Sequence, residues 1–461
     1  MNNLAQKKNT EELEQSAYSV NNYLKFIIPS LIGIILFIVP IKVDGNITIP
    51  IAFLSGQIIS LIGEWIPELT IGFMVLGSVG SLIAVSVKPD FIIKNQFLNS
   101  LLNVSKSWII IRLIGTVFAI LTLMQWGPEW IISENTGNLL LNSLIPTLFA
   151  TFLLAGILLP LLLNFGLLEF TGALFMRIMR PLFKLPGRSS LDCLASWVGD
   201  GTIGVLLTAK QYEEGFYTKR EAAVIATTFS VVSITFSIVI LQELNLEPYF
   251  LPYYLTIVVA GVVAAIIMPR IPPLSRKADT AYENVELVKE TEIPANASLV
   301  KYGLNAAVKK ASKNGKVSSI FKEGFQNVLD MWVGVLPVVM AIGTIGVIIA
   351  EYTPVFNILG KPFEPILMWM QLPEAELAAP TMVVGFADML LPAILGSGIE
   401  SELTRFVIAG VSVTQLVYLS EMGGLVLGSK IPVNFKDLVL IFILRTIITL
   451  PIVVVAAHII F

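Results

Sequence analysis

One cysteine, Cys193, and one histidine, His458, are all that 461 residues supply of either type. A lone thiol forms no disulfide framework, and no Cys/His set is present to bind zinc, so neither kind of staple is expected. Charge is scarce as well. Asp, Glu, Lys and Arg make up 14% of the chain, with a net charge of -3. The Lys and Arg residues gather in loops and form no single basic face, which argues against a nucleic-acid partner. No G-x-x-x-x-G-K-[ST] run occurs, so any use of ATP would fall to a partner. The polar first 25 residues hold Glu11, Glu12 and Glu14 before any apolar run and do not read as a cleavable signal peptide. The first helix is then expected to act as the targeting signal.

What the chain has is apolar length. It is 55% hydrophobic, with a mean hydropathy of +0.80. Runs suited to crossing a bilayer lie at 26–42, 69–87, 108–126, 139–163, 221–241, 251–269, 328–350, 403–424 and 437–457. The spacing predicts an all-α polytopic membrane protein with about nine transmembrane helices, embedded in a lipid bilayer. Asn46 to Pro67, carrying Gln57 and Glu64, reads as an interfacial helix, with a partial re-entrant helix as the competing reading. Lys88, Lys94, Lys106, Arg177, Arg180, Lys184, Arg188, Lys210, Lys219, Arg220 and the Lys-rich segment after Arg270 fall on one side. The loops with Glu129, Glu134, Glu243 and Glu247 hold no Lys or Arg, and the segment that starts at Glu351 holds Lys361 alone before the next run. The excess of positive charge on the cytoplasmic side puts the N-terminus inside and the C-terminus outside.

One stretch, Arg188 to Glu221, does not fit a crossing. Its apolar pieces, Leu191 to Val198 and Ile203 to Ala209, are too short to span about 30 Å of hydrocarbon, so the segment should enter and turn back. Gly199-Asp200-Gly201-Thr202 breaks it at membrane depth, where free peptide groups need a cavity or a ligand, and where a carboxylate calls for a function.

The stretch has a counterpart. Glu169-Phe170-Thr171, Arg180-Pro181 and Leu185-Pro186 are matched in order by Glu351-Tyr352-Thr353, Lys361-Pro362 and Leu372-Pro373. Each series is followed by two short apolar pieces, interrupted at Gly199-Asp200 and at Phe386-Ala387-Asp388, and then by a Val-Ile-Ala span at 224–226 and 407–409. By the loop charges, the first hairpin opens from the cytoplasmic side and the second, flanked by Glu374, Glu376, Glu400 and Glu402, from the outside. Two re-entrant helical hairpins of opposite orientation in an inverted repeat place a binding site near the bilayer midplane. The expected division is a polar cytoplasmic tail at 1–25, N-terminal transmembrane helices at 26–135, a first repeat at 136–270, a flexible cytoplasmic linker at 271–325 and a second repeat at 326–461.

The segments GRSSLDCLASWVGDGTIGVLLTAKQYEEGFYTKREAAVIATTFS, IPSLIGIILFIVPIKVDGNITIPIAF and MVVGFADMLLPAILGSGIESELTRFVIAGVSVTQLVYLSEMGGLVLGS resemble the YjiH family, multi-pass bacterial membrane proteins built on the Gate, or nucleoside-recognition, domain. The resemblance covers nearly the whole chain outside the tail and linker. Gate domains are similar to the core of concentrative nucleoside transporters, and the resemblance therefore implies two opposed hairpins and two partly unwound helices around a substrate and a coupling ion. In place of the Gln/Thr/Glu hairpin sequence typical of nucleoside transporters stand Gly199-Asp200-Gly201-Thr202 and Asp388 with Gly396-Ser397-Gly398. The small polar substrate could therefore be nucleoside-like or amino-acid- or dipeptide-like.

The candidate substrate residues are Gly199, Asp200, Gly201, Thr202, Ser230, Ser233, Asp388, Gly396, Ser397, Gly398, Ser412 and Gln415. Asp200 and Asp388 could equally be helix caps, and Ser397 a turn residue. The hydroxyls of 227–237 could simply bond back within their helix. Glu421 is the candidate for a coupling H+ or Na+, unless it pairs with Arg445 of the last span. No catalytic residue, metal site or resident cofactor is expected. Trp65, Trp126, Trp130, Trp332 and Trp369 suit an aromatic belt, and Gly33, Gly72, Gly77 and Gly80 suit helix packing. The leading reading is an ion-coupled secondary transporter working by alternating access, and a homo-oligomer is compatible with it. The alternatives are a Gate-domain scaffold or sensor without net transport, and an intramembrane aspartyl protease using Asp200 and Asp388 as a dyad.

Overall fold

The computed structural model describes residues 19–39, 41–43, 46–199, 201–229, 232, 234–283, 285–288, 298–313 and 317–461. Seven helical stretches among them are long and apolar enough to cross a bilayer: Val20–Phe37, Pro50–Ser86, Lys106–Leu123, Leu139–Leu163, Glu247–Arg276, Phe321–Tyr352 and Phe435–Ile460. The protein is an all-α polytopic membrane protein.

The first run forms α1 (Val20–Phe37) and ends earlier than expected, giving way to an antiparallel ribbon of β1 (Ile41–Val43) and β2 (Asn46–Thr48). Pro50–Ile62 (α2) is not a separate interfacial helix. A single tight turn, Gly63–Trp65, carries it into Ile66–Ser86 (α3), and the two make one 37-residue stretch. Pro50 and Pro67 both stand in first turns, where the missing N–H leaves no bond unmade. Lys106–Leu123 (α4) and Ile145–Leu158 (α5) follow, and α5 begins on a π-helical turn, Leu139–Leu144. The second half repeats this entrance: the π-helical turn Asp330–Val335 leads into Leu336–Tyr352, again with a proline, Pro337 for Pro146, at the start of the α-helix.

Two of the nine expected crossings are broken. The run 221–241 consists of α6 (Lys219–Thr228) and α7 (Ile234–Glu243). Helix α8 (Phe250–Ile267) then crosses back. The run 403–424 consists of Glu402–Gln415 and Met422–Gly428. There the chain leaves the helix at Leu416, with φ of 67°, and resumes it after Glu421, with φ of -133° and ψ of -89°. A bulky side chain at positive φ is costly, so the surrounding packing must hold it there.

The segment 271–325 is more structured than a flexible linker. Lys219 and Arg220 donate backbone N–H groups to Thr280 O at 2.8 Å and Ala278 O at 3.2 Å, and Val288 N donates to Gly215 O at 2.9 Å. A strap formed by 277–283 and 285–288 thus lies along the exit of the first hairpin. Two helices follow, α9 (Leu299–Lys313) and α10 (Val317–Leu329). Gly303, Ala307, Val308 and Ala311 form the buried stripe of α9, which packs on α1 and on Leu167–Ile178. The lysines face away, and this mixture made the segment look like linker.

Helices α11 (Leu336–Tyr352), α12 (Glu402–Gln415), α13 (Met422–Gly428) and α14 (Phe435–Ile460) complete the second half. With 26 residues, α14 is about 39 Å long at 1.5 Å per residue. Asp437 at its start pairs with Lys277 at 2.6 Å, whereas His458 and Phe461 at its end meet Met370 and Tyr249. The loops therefore sort into a lysine- and arginine-rich face and an acidic face, the latter joined by Asn135 with Glu351 and Tyr249 with Glu402. Trp65, Trp126, Trp130 and Trp369 are exposed in the manner of a belt. Trp332 is not: it is buried and stacked on Phe149, with centroids 4.0 Å apart.

Candidate functional site

The first hairpin rises as Ser189–Leu194, continues through a π-helical turn at Ala195–Gly199, and returns as Gly201–Glu213. Its arms run antiparallel. Arg188 Nε donates to Gln211 Oε1 at 2.7 Å and Thr208 Oγ1 to Asp192 Oδ2 at 3.1 Å, while Gly204 is so close to Ser196 that an added Cβ would sit 2.6 Å from its Cβ. These pairs draw the two arms together along their length. Asp192, fully buried, also accepts from Gln211 Nε2 at 2.7 Å and from Tyr217 OH at 3.0 Å, so one carboxylate ties both arms to the hairpin exit. Asp192 did not stand out in the sequence, although a carboxylate in an apolar membrane segment is the same signal that marked Asp200.

The second hairpin rises through Ala375–Ala378 and Thr381–Val384 and returns as Leu391–Gly396. Glu374 closes its mouth, accepting from Glu400 N at 3.2 Å and Ser401 N at 3.0 Å. This mouth lies on the acidic face, beside Glu402 and Tyr249, and the mouth of the first hairpin lies on the basic face, beside the strap. The two hairpins are inserted from opposite sides.

Each hairpin holds the break in its own half. Trp197 Nε1 donates to Phe229 O at 2.8 Å, just past the end of α6. In the second half Leu419 N and Ser420 N donate to Phe386 O at 2.8 Å and Ala387 O at 3.0 Å, which binds the unwound chain between α12 and α13 to the hairpin tip. Asp388 Oδ1 accepts from Leu390 N at 2.8 Å, a turn contact ahead of Leu391–Gly396, whose N-cap is Leu390 and not Asp388.

Between the two tips lies a cavity of about 500 Å³. Gly201, Val232 and Phe236 reach it from the first half, and Asp388, Tyr418 and Glu421 from the second. Ser143 and Thr147, at the π-helical start of α5, supply hydroxyls the sequence reading passed over. At the basic end of the first hairpin, burial and the facing Asp330 push the Glu213 carboxyl up to about 7, against the opposing pull of Lys210 and Lys430.

Of the residues singled out from the sequence, Gly201, Asp388 and Glu421 share the cavity wall. Gly199 ends the π-helical turn and Thr202 is buried in the returning arm. Asp200, Ser230 and Ser233 lie outside the described residues. Gly396, Ser397 and Gly398 are not at the tip. They stand at the far end of Leu391–Gly396, at the mouth, where the exposed Ser397 bonds back to Ile394 O at 2.8 Å. Ser412 likewise bonds back within its helix, to Ala409 O at 2.9 Å. Gln415 Nε2 donates to Met382 O at 2.6 Å and Thr446 Oγ1 at 3.0 Å, clasping the second hairpin to α12 and α14. Thr227 and Thr228 also bond back, to Ala223 O and Val224 O. Among the described residues, Arg445 donates to three backbone carbonyls, those of Thr414, Thr227 and Thr228.

A family model for the Gate domain, described as nucleoside recognition, matches residues 145–247. An uncharacterized protein of Alkalihalophilus pseudofirmus is 51% identical over 447 residues, which cover 97% of this chain and 96% of the relative. A solved structure of a CNTnw double variant in an outward-facing state aligns with 95% of this chain and 96% of its own, at 13% identity and a TM-score of 0.30.

Proposed function

Because the chain belongs to the YjiH-like family of Gate-domain, or nucleoside-recognition, membrane proteins, we propose that it is a secondary transporter which carries a small polar metabolite by alternating access between its two halves. One observation carries this reading: both oppositely inserted hairpins and both broken helices contribute to a single cavity of about 500 Å³. Its volume falls within the range of roughly 300–1,000 Å³ usual for small-molecule sites. A mostly apolar wall with a few polar groups suits a ligand held by position-specific hydrogen bonds. The carboxylates of Asp388 and Glu421 favour one rich in N–H or O–H donors, such as a nucleoside, an amino acid or a dipeptide.

Glu421 stands in the unwound stretch on the cavity wall, where a change of its protonation or cation state would be felt by substrate and helix break together. It is our candidate for the coupling site. The basic face is assigned to the cytoplasm of a bacterial inner membrane, with the N-terminus inside.

A thermal-shift screen of the purified protein against nucleosides, amino acids and dipeptides identifies the ligand, since one that binds the folded state raises its apparent stability. Proteoliposomes carrying an imposed pH or sodium gradient then test movement. Accumulation of the identified ligand is expected. Tight binding with no uptake under either gradient would replace transport by the scaffold or sensor reading.

A further inference from the structure

The last helix carries a fully buried guanidinium, that of Arg445, near its middle. A charge at such depth needs partners. Nε donates to Thr414 O at 2.9 Å, and Nη1 to Thr228 O at 3.1 Å and Thr227 O at 3.3 Å. Thr414 is in the last turn of α12, and Thr227 and Thr228 close α6. One side chain therefore takes the C-terminal ends of both helices that stop short inside the protein.

The ending of α12 is otherwise complete. Tyr418 OH lies 2.9 Å from Ser412 O and 3.0 Å from Val413 O and shares its single hydrogen between them, and Val417 N donates to Gln415 O at 2.9 Å. With Thr414 O on Arg445, all four carbonyls that a helix end leaves open have donors. Each C-terminus is equivalent to roughly half a negative charge, so two of them balance about one unit. That explains how the guanidinium lies buried without a hydrogen bond to any carboxylate among the described residues.

In transporters with broken helices, half-helix C-termini and unwound carbonyls are where a coupling cation is coordinated. We propose that Arg445 is a built-in cation: it occupies these carbonyls in place of a sodium ion and joins the two halves at their breaks, so that sodium has no seat there. Arg445 is a positioning residue, since the guanidinium holds the helix ends that frame the cavity. The inference rests on the transporter reading for what it says about coupling: with no seat for sodium, the proton is left as the coupling ion at Glu421.

The test needs no substrate. Full-length protein in detergent is heated in choline chloride, KCl or NaCl at equal ionic strength while its tryptophan fluorescence is followed. The wild-type chain is expected to melt at one temperature in all three salts. Arg445→Ala is expected to melt lower in choline chloride and to regain at least half of that loss in NaCl or in millimolar methylguanidinium, a response that a merely structural side chain would not produce. A sodium-specific rise in the wild-type protein overturns the inference, as does an Arg445→Ala protein that neither cation restores. Should Arg445→Ala not fold, the wild-type comparison decides alone: a sodium-specific rise overturns the inference and its absence upholds it. Failure here leaves the uptake experiment standing, and absence of uptake leaves the cation response standing, so the two readings fail separately.

Discussion

Asp192 and Asp200 lie in one stretch of the sequence, and only the second was conspicuous, because glycines flank it and it interrupts an apolar run. What gives Asp192 its weight comes from Thr208, Gln211 and Tyr217, which the returning arm brings to it. A linear pattern does not carry that convergence. Asp192→Ala leaves Gln211 Nε2 and Tyr217 OH without their acceptor in a buried site, while Thr208 keeps its bond to Gly204 O, and should cost about 1–3 kcal/mol for each donor stranded. Asp192→Asn keeps an acceptor and should cost less. Melting followed by tryptophan fluorescence ranks the three proteins, and equal melting temperatures would remove the carboxylate from its structural role. At Glu421 the opposite pattern is expected: Glu421→Gln should lower uptake at least tenfold with the melting temperature unchanged, and loss of folding would make it a structural residue instead.

Glu213 has a pH signature. Its folded-state value near 7 lies above the ordinary 4.5, so the folded protein holds the proton more tightly. The resulting stability is fully present below pH about 4.5 and is lost as pH rises through about 7. Melting temperature should therefore fall across that window, and Glu213→Gln should flatten the slope. A wild-type slope unchanged by the substitution would assign the effect to another group.

At the scale of elements, hairpins were legible because length decides: a run too short to cross must turn back. Breaks inside runs long enough to cross were not legible. Leu416 is as apolar as its neighbours, and only its positive φ, held by the bonds from Leu419 and Ser420 to the hairpin tip, shows that the helix has stopped. The same limit applies to glycine. Gly33 and Gly77 do sit against neighbouring helices, whereas an added Cβ at Gly72 would meet nothing within 4 Å. The closest approach is at Gly115, where a Cβ would lie 1.9 Å from Pro337 O, so α4 and α11 touch backbone to backbone. Gly115→Ala must force these helices apart and should lower the melting temperature by several degrees, roughly the effect of a destabilisation of about 1–3 kcal/mol from overpacking. Gly72→Ala should leave it unchanged or slightly raised, since alanine is the better helix former. Equal effects at the two sites would contradict the packing described here.

For the whole molecule, loop charge and the ordered repeat carried most of the architecture, because both depend on counts and order along the chain. The segment 271–325 was misread for the converse reason: its small-residue stripe is meaningful only against the helices it covers. Sidedness can be checked in a Cys193→Ala background, where no native thiol remains. Lys184→Cys, exposed on the basic face, should react with a membrane-impermeant maleimide only after cells are opened. Ser397→Cys, exposed at the mouth of the second hairpin, should react in intact cells. Labelling of both in intact cells, or the reverse order, would invert or refute the assigned topology.

The bond from Arg445 back to Thr228 also sets a schedule. The two residues are 217 positions apart, so the arginine is made long after the helix it closes. At a synthesis rate of roughly 5–20 residues per second, the broken helix of the first half waits tens of seconds inside the membrane with its terminal carbonyls unsatisfied. The first half can be inserted on its own but not finished, and ribosomes halted before Arg445 should leave a nascent chain whose first hairpin is still open to proteases on the cytoplasmic side.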